Sequence, residues 1–196
     1  FLNVLNDIYD NPADFQDATR HSKSVDIVHP QLNILAGTQP GYLANLLPEE
    51  AWSMGFMSRV VMIYAGVGPQ IDIFNGVEMN SAARSHLIRR AIEMIGYMGQ
   101  FSWEPQARDE LVAWHRTGLD PVPEHSKLAH YNSRRLLNVV KLIMISSASR
   151  SPELIINRSD VNRARDWLLT AEMTMPDIFH EMVGRNDAQV LQELHY

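Results

Sequence analysis

The stretch that decides the predicted fold runs from Gln31 to Gln39 and reads QLNILAGTQ. Its apolar centre is short and ends in small and polar residues, as a buried strand does where it reaches the edge of a sheet. A second stretch, Val60 to Ala65, reads VVMIYA, which is apolar throughout and rich in β-branched side chains. Because near-continuous apolar strands indicate a sheet covered on both faces, we predict that both stretches are buried strands of one parallel sheet in an α/β fold.

Helical periodicity governs most of the remaining chain. Short helices are predicted beside the sheet over residues 1–9, 41–47 and 48–55, and the polar residues 13–24 predict a basic loop or a hairpin. Further helices are predicted over residues 81–99, 105–117, 126–150, 159–175 and from 187 onward, with one short extended piece at 154–157. We therefore predict two domains, an α/β domain over residues 1–79 and a helical domain over residues 80–196.

The composition is that of a folded chain, with 45% apolar and 20% charged residues, which excludes a disordered tail or a fibre. The net charge is −6, so any contact with nucleic acid requires a local basic face. The absence of cysteine excludes disulfides and thiol nucleophiles. No apolar run approaches the roughly 20 residues that cross a bilayer. Because the chain opens at Phe1 within an amphipathic pattern, we interpret it as a fragment whose beginning is missing.

Polar side chains follow the first predicted strand and precede the second. Thr38 and Gln39 end the first strand, and at the carboxyl edge of a sheet a hydroxyl and an amide can orient a water or sense a phosphate. They can equally be a strand cap that satisfies the following turn. Arg59 stands at the start of the second strand, where its planar, permanent charge suits a phosphate. The alternative for Arg59 is an ion pair with Glu49 or Glu50.

Basic residues are clustered rather than spread along the chain. Arg134 and Lys141 are seven residues apart, with Asn138 between them, so the three lie on one helix face with Arg135 beside it. Such a stripe can follow a phosphate backbone, although charged stripes also occur as solvated faces. Another basic cluster is the predicted loop that carries Arg20, His21 and Lys23.

The eight histidines do not have the spacing of a metal site, and we predict none. His125 and His130 are five residues apart and fall on different faces of a helix, and His180-Glu181 has no second histidine four residues on. Nor does the sequence contain a Gly-x-Ser-x-Gly element that would anchor a hydrolase triad.

The run from His29 to Ala65, HPQLNILAGTQPGYLANLLPEEAWSMGFMSRVVMIYA, resembles the distal part of a RecA-like ATPase core. The family is one of phage and mobile-element proteins, often called primase-helicases, and it has Asn where this chain has His29. The later positions that match the helical region after that core are Tyr131, Arg134, Arg135, Lys141, Leu142, Asp160, Ala164 and Trp167. The resemblance thus covers most of the chain.

The resemblance implies part of an ATP-dependent DNA motor that acts in replication or translocation. ATP and Mg²⁺ would be bound mainly by upstream residues, because no Gly-Lys-Ser or Gly-Lys-Thr occurs in this sequence. Thr38 and Gln39 would be the sensor, and Arg59 the arginine finger of a homo-oligomeric ring or filament.

The basic loop and the Arg134 stripe would contact single-stranded or duplex DNA, in the cytoplasm of a bacterial host. From a different class, the alternative function is a non-catalytic helical module for protein interaction, loading or assembly.

Overall fold

The structure is a computed structural model that describes residues 2–10, 12, 14–17, 25–48, 51–52, 55–66, 68 and 80–182. The predicted basic loop with Arg20 and Lys23, and the helix predicted from residue 187, lie outside these ranges. The described part of the chain is mixed α/β and mostly helical. It contains no helix that is long and apolar enough to cross a membrane.

α-Helices and two short sheets make up the described structure. The helices are α1 (Leu2–Tyr9), α2 (Pro40–Leu46), α3 (Ser81–Ile95), α4 (Pro105–Arg116), α5 (Ala129–Arg150) and α6 (Arg158–Met173). Residues 175–182 are also helical, and 3-10 turns occupy Met57–Arg59 and Ser126–Leu128. The strands are β1 (Asp14–Asp17), β2 (Val25–Val28), β3 (Ser102–Trp103) and β4 (Ile155–Ile156).

The two stretches predicted as buried parallel strands do not form strands, so that prediction is wrong for these residues. Residues 31–39 and 60–66 have no regular structure, and no strand among the described residues lies beside them. Leu35 is fully exposed and Ile63 is 77% exposed. An apolar run becomes a strand only where neighbouring backbone completes its hydrogen bonds. Within the described ranges that neighbour is missing, and Ile34, Leu35 and Ile63 face solvent while Met62 is buried.

The strands that do form lie elsewhere. β1 and β2 pair antiparallel, with Phe15 opposite Ile27, which confirms a hairpin as one of the two structures predicted near residues 13–24. β3 and β4 form a parallel pair of two residues each, in which Trp103 lies opposite Ile156. The short extended piece predicted at 154–157 is therefore confirmed as β4.

Local signals explain where several helices begin. Oδ1 of Asn80 accepts hydrogen bonds from the backbone N–H groups of the first turn of α3, both at 3.1 Å. α4 begins with Pro105, which the first helical position tolerates because its missing N–H would have no partner there. Asn157 caps α6 through a capping box with Asp160.

Asp160 also joins the end of α5 to the start of α6. Its carboxylate is buried and accepts hydrogen bonds from the Asn157 backbone at 3.0 Å and from Arg150 Nη2 at 2.8 Å. The same Arg150 nitrogen donates to the carbonyl oxygen of Ile155 at 2.8 Å. The turn between the two helices is therefore fixed by its own polar groups.

The chain divides into two compact units. One comprises residues 1–61, 124–134 and 176–196, and the other residues 62–123 and 135–175. In the first unit, Phe179 contacts Trp52 edge to face at 5.3 Å and stacks on His125 at 4.0 Å between ring centroids. In the second unit α4 packs against α6. The buried residues of these helices include Trp114 on α4 and Leu168 on α6. The predicted domain boundary at residue 79 stays a prediction.

Candidate functional site

Arg59 is held at the end of the 3-10 turn by two hydrogen bonds. Nη1 donates to the carbonyl oxygen of Gly55 at 2.7 Å, and Nη2 donates to Oδ2 of Asp10 at 2.6 Å. The guanidinium also lies 5.9 Å from the ring centroid of Tyr9, within the range of a cation–π contact. The side chain is only 12% exposed, and its acidic partner in the described part of the chain is Asp10. Glu49 and Glu50, the acidic partners expected from the sequence, lie outside the described residues.

Gly55 makes this arrangement sterically possible. Its φ is +90°, a backbone conformation that residues with a Cβ rarely adopt. A Cβ at this position would lie 2.9 Å from Nη1 of Arg59. The Gly55 carbonyl additionally accepts a hydrogen bond from Ser58 Oγ at 2.6 Å. The turn therefore depends on glycine both for its backbone and for the space that the guanidinium fills.

Asp10 bridges two arginines from distant parts of the sequence. Its Oδ2 binds Arg59, and its Oδ1 accepts a hydrogen bond from Nη2 of Arg134 at 2.9 Å. Partial burial by itself raises the pKa of Asp10, but the hydrogen bonds and positive charges of Arg59 and Arg134 outweigh it and hold that pKa below its ordinary value. The carboxylate is therefore ionised at neutral pH, and the three side chains together carry one net positive charge.

A cleft of about 320 Å³ lies beside Arg59. Its walls are mostly apolar and come from α1, from residues 32–36 and from residues 56–61, with Leu5, Tyr9, Leu32, Ile34, Phe56 and Val60 among them. The structure thus brings Arg59 and residues 32–36, which precede Thr38, to one cleft. Neither residues 31–39 nor residues 60–66 form a strand. Arg59 is the only residue with a permanent charge among those that line the cleft in the described chain.

Thr38 and Gln39 are both exposed. Thr38 Oγ1 makes a long hydrogen bond of 3.4 Å to the carbonyl oxygen of Gln39. That carbonyl also accepts from the backbone N–H groups of Tyr42 and Leu43 at 3.0 Å, so Gln39 stands at the start of α2, and its side chain makes no capping hydrogen bond. The Gln39 side chain therefore does not cap α2, whereas the Thr38 hydroxyl makes one weak contact with the turn that follows it.

Arg135 does not form part of an accessible basic face, and the prediction of a nucleic-acid contact there is wrong for this structure. Its side chain is 0% exposed. Nε and Nη2 donate to the two carboxylate oxygens of Glu172 at 2.7 and 2.5 Å, while Nη1 and Nη2 reach the backbone carbonyls of Leu119 and Pro121. Four of the five N–H groups of this guanidinium are bonded within the protein, and its burial keeps a phosphate of DNA from reaching it.

The other predicted basic residues are differently placed. Arg134 is 30% exposed, and Lys141, two helical turns along α5, is exposed as well. Asn138, predicted on the same face, is buried. Arg134 and Lys141 belong to different compact units, and Arg20 and Lys23 lie outside the described residues, so DNA contact by these four side chains stays a prediction.

The partner of Arg59 and Arg134 that the sequence did not indicate is Asp10. In the sequence it is part of Asp10-Asn11-Pro12, which predicts only the end of α1. An acidic residue just after a helix faces the negative end of the helix dipole, which is unfavourable unless cations lie nearby. That mismatch is the one signal in the sequence that points to basic partners elsewhere in the chain.

No protein-family model, curated protein or solved structure matches this chain. Across the ranges that the structure describes, no group of three or more His, Asp or Glu side chains is arranged to hold a metal ion.

Proposed function

We propose that this chain is the distal part of a RecA-like, ATP-dependent DNA motor that assembles as a homo-oligomer in the bacterial cytoplasm. ATP and Mg²⁺ would be held mainly by a P-loop and an acidic strand that these 196 residues do not contain. One observation carries the proposal. Arg59, the candidate finger, lines the same cleft as residues 32–36, and Thr38 and Gln39, which do not line it, follow two and three residues after Ala36.

The exposed apolar stretches support a sheet that is completed by other residues. Leu35 and Ile63 belong to extended segments of the composition typical of central strands, yet both face solvent. Exposed apolar segments of this kind generally mark a surface that is covered in the assembled molecule. In the proposed motor, strands of the nucleotide-binding part of the core would pair with residues 31–39 and 60–65.

In this proposal Arg59 stabilises negative charge on the phosphate that is transferred, and Thr38 and Gln39 orient the attacking water. An arginine finger contributes a factor of about 10³ to 10⁵ in turnover. Of the ion pair that Arg59 would give up, the Asp10 side is 48% exposed, so water can take over the hydrogen bonds of that carboxylate.

The test is made in the parent protein that contains the P-loop. Arg59→Ala should lower ATP turnover by at least about 10³-fold and change nucleotide affinity by only a few fold, because the finger acts on the transition state. Arg84→Ala, which removes an exposed arginine on α3, is the matched control and should leave turnover unchanged. Normal turnover in Arg59→Ala, or a parent protein without a P-loop sequence, would refute the motor.

A second candidate, the non-catalytic interaction module, is favoured by the surface of α3. None of its residues is buried, and one side carries large exposed apolar residues: Leu87, Ile88, Ile92, Ile95 and, just beyond the helix, Met98. The exposed arginines Arg84 and Arg89 lie on the same helix, so the fitting partner is an acidic amphipathic helix.

One comparison separates the two candidates. In the module, Ile92→Asp abolishes partner binding and the wild-type parent protein hydrolyses no ATP. In the motor, the wild-type parent protein hydrolyses ATP and Arg59→Ala stops it.

A further inference from the structure

Two guanidiniums share one carboxylate in the first compact unit. Asp10 gives one oxygen to Arg59 and the other to Arg134, at 2.6 and 2.9 Å. We infer that Arg59 and Arg134 form a binding site for a phosphate group, and that the Asp10 carboxylate occupies this site in the free protein as an internal ligand that phosphate displaces.

The hydrogen bonding of Arg59 supports a larger oxyanion than a carboxylate. The Nε and Nη2 groups of a guanidinium form an edge that binds two oxygens of one anion side by side. Asp10 fills only half of that edge, because its second oxygen binds Arg134. Nε of Arg59 is buried and has no acceptor among the described residues. A phosphate has enough oxygens to bind both nitrogens of Arg59 and still reach Arg134.

The charge balance points in the same direction. With Asp10 in place the cluster keeps one net positive charge, which a carboxylate cannot neutralise. A terminal or inorganic phosphate that carries two negative charges neutralises both arginines, whereas a phosphodiester of the DNA backbone carries one and balances the single charge that remains while Asp10 stays nearby. Arginine is also the side chain whose planar donor geometry best matches phosphate.

The side of the site formed by Asp10 and Arg134 is open to solvent, whereas Arg59 is only 12% exposed. Asp10 is 48% exposed and Arg134 is 30% exposed, so a dissolved anion reaches both from solvent. Asp10 directly follows α1, where the negative end of the helix dipole opposes a carboxylate. Its position therefore depends on the two arginines, and a stronger anion on them leaves Asp10 free to turn toward water.

The phosphate has two sources in this proposal, a nucleotide and the backbone of DNA. The choice between them rests on the proposed function, whereas the two-arginine site does not. Arg59 is the predicted nucleotide contact and Arg134 the predicted DNA contact, so Asp10 links the two roles by holding both side chains.

The 196-residue chain is titrated with inorganic phosphate by calorimetry. Asp10→Asn keeps the shape of the side chain and removes the competing charge, so phosphate should bind about tenfold more tightly than to the wild type. The matched control is Asp7→Asn, which removes the same charge from an exposed position on α1 and should change affinity by less than twofold. Adding Arg134→Gln or Arg59→Lys to Asp10→Asn should abolish the gain.

Equal phosphate affinity in the Asp10 and Asp7 variants would overturn the site, as would a gain that survives Arg134→Gln. A measurement on the wild-type chain avoids any loss of folding in the variants. Phosphate should shift the Nε–H resonance of Arg59 and leave that of Arg150, which is paired with Asp160, in place. No shift at Arg59 under saturating phosphate also overturns the site.

Two further arms identify the source. A thymidine oligonucleotide that binds Asp10→Asn more tightly than wild type shows that backbone phosphate is accepted, and ATP in the parent protein tests the nucleotide in the same way. Tighter binding in either arm supports the site, and no tightening in both overturns it. None of these measurements requires ATP hydrolysis. The phosphate site is therefore tested independently of the proposed motor function.

Discussion

Replacing Glu172 by Gln should destabilise the second compact unit strongly. Glu172 and Arg135 are buried, and two hydrogen bonds join the guanidinium to the carboxylate. Glutamine keeps the size of the side chain but leaves Arg135 as a buried charge without its counter-ion. Breaking a buried pair from one side costs about 3–5 kcal/mol. In a chain of this length each kcal/mol lowers Tm by roughly 2–4 °C, so we expect a fall of about 6–20 °C.

Urea denaturation followed by circular dichroism measures this loss. Glu93→Gln is the control, because the Arg90–Glu93 pair is largely exposed on the acidic side and should contribute under about 1 kcal/mol. A double variant, Arg135→Met with Glu172→Leu, should recover most of the stability because neither charge remains buried. The reasoning is refuted if Glu172→Gln costs no more than the control. It is equally refuted if the double variant is less stable than Glu172→Gln alone.

Two further predictions concern the first unit. Gly55→Ala should lower the free energy of unfolding by about 1–2 kcal/mol, because the φ of +90° is strained for alanine and the new Cβ meets Arg59 at 2.9 Å. Gly66→Ala, with open space around it, is the control in the same urea titration, and equal effects would contradict the geometry. Burial, His180 and the charge of Lys127 lower the pKa of His125 in the folded state. Stability should therefore be complete above about pH 6.5 and fall as the pH drops toward 5, since the unfolded chain takes up the proton first. His125→Asn, which retains an acceptor for the backbone N–H two residues on, should flatten that dependence, and a fall as steep as in the wild type would exclude His125 as the cause.

The helices could be predicted well because their signals are local. Pro105 marks the first turn of α4, and Ser81, predicted as the cap of α3, is its first helical residue, with Asn80 one residue earlier as the cap. These features depend on residues within one or two helical turns of each other. Sequence periodicity carries that information directly.

The strands could not be predicted from local sequence signals of this kind. The runs at 31–39 and 60–65 have the composition of buried strands, but a strand exists only if another strand lies beside it. Pairing is a property of two distant segments and is not contained in either of them. The real hairpin of β1 and β2 is short and polar by comparison, and its pairing was predicted only as one of two alternatives.

The candidate site was predicted in part for the same reason. Arg59 was selected from its place next to an apolar run, but its partner lies 49 residues away at Asp10. Arg134 and Arg135 are chemically identical neighbours, yet adjacent helix positions point about 100° apart, so one meets solvent and the other Glu172. Which of the two is buried depends on the position of α6, which no local pattern reveals.

The Asp160 cluster has a practical consequence for engineering the chain. Because Arg150, Asn157 and Asp160 brace the corner between α5 and α6 from inside, the exposed tip at Pro152 and Glu153 contributes little to holding the corner. Lengthening a surface connection costs only about 0.6 kcal/mol for each doubling. A peptide tag or a fluorescent reporter can therefore be inserted at this tip. The insertion point is separated in sequence from Arg59 and Arg134, the arginines that bind Asp10.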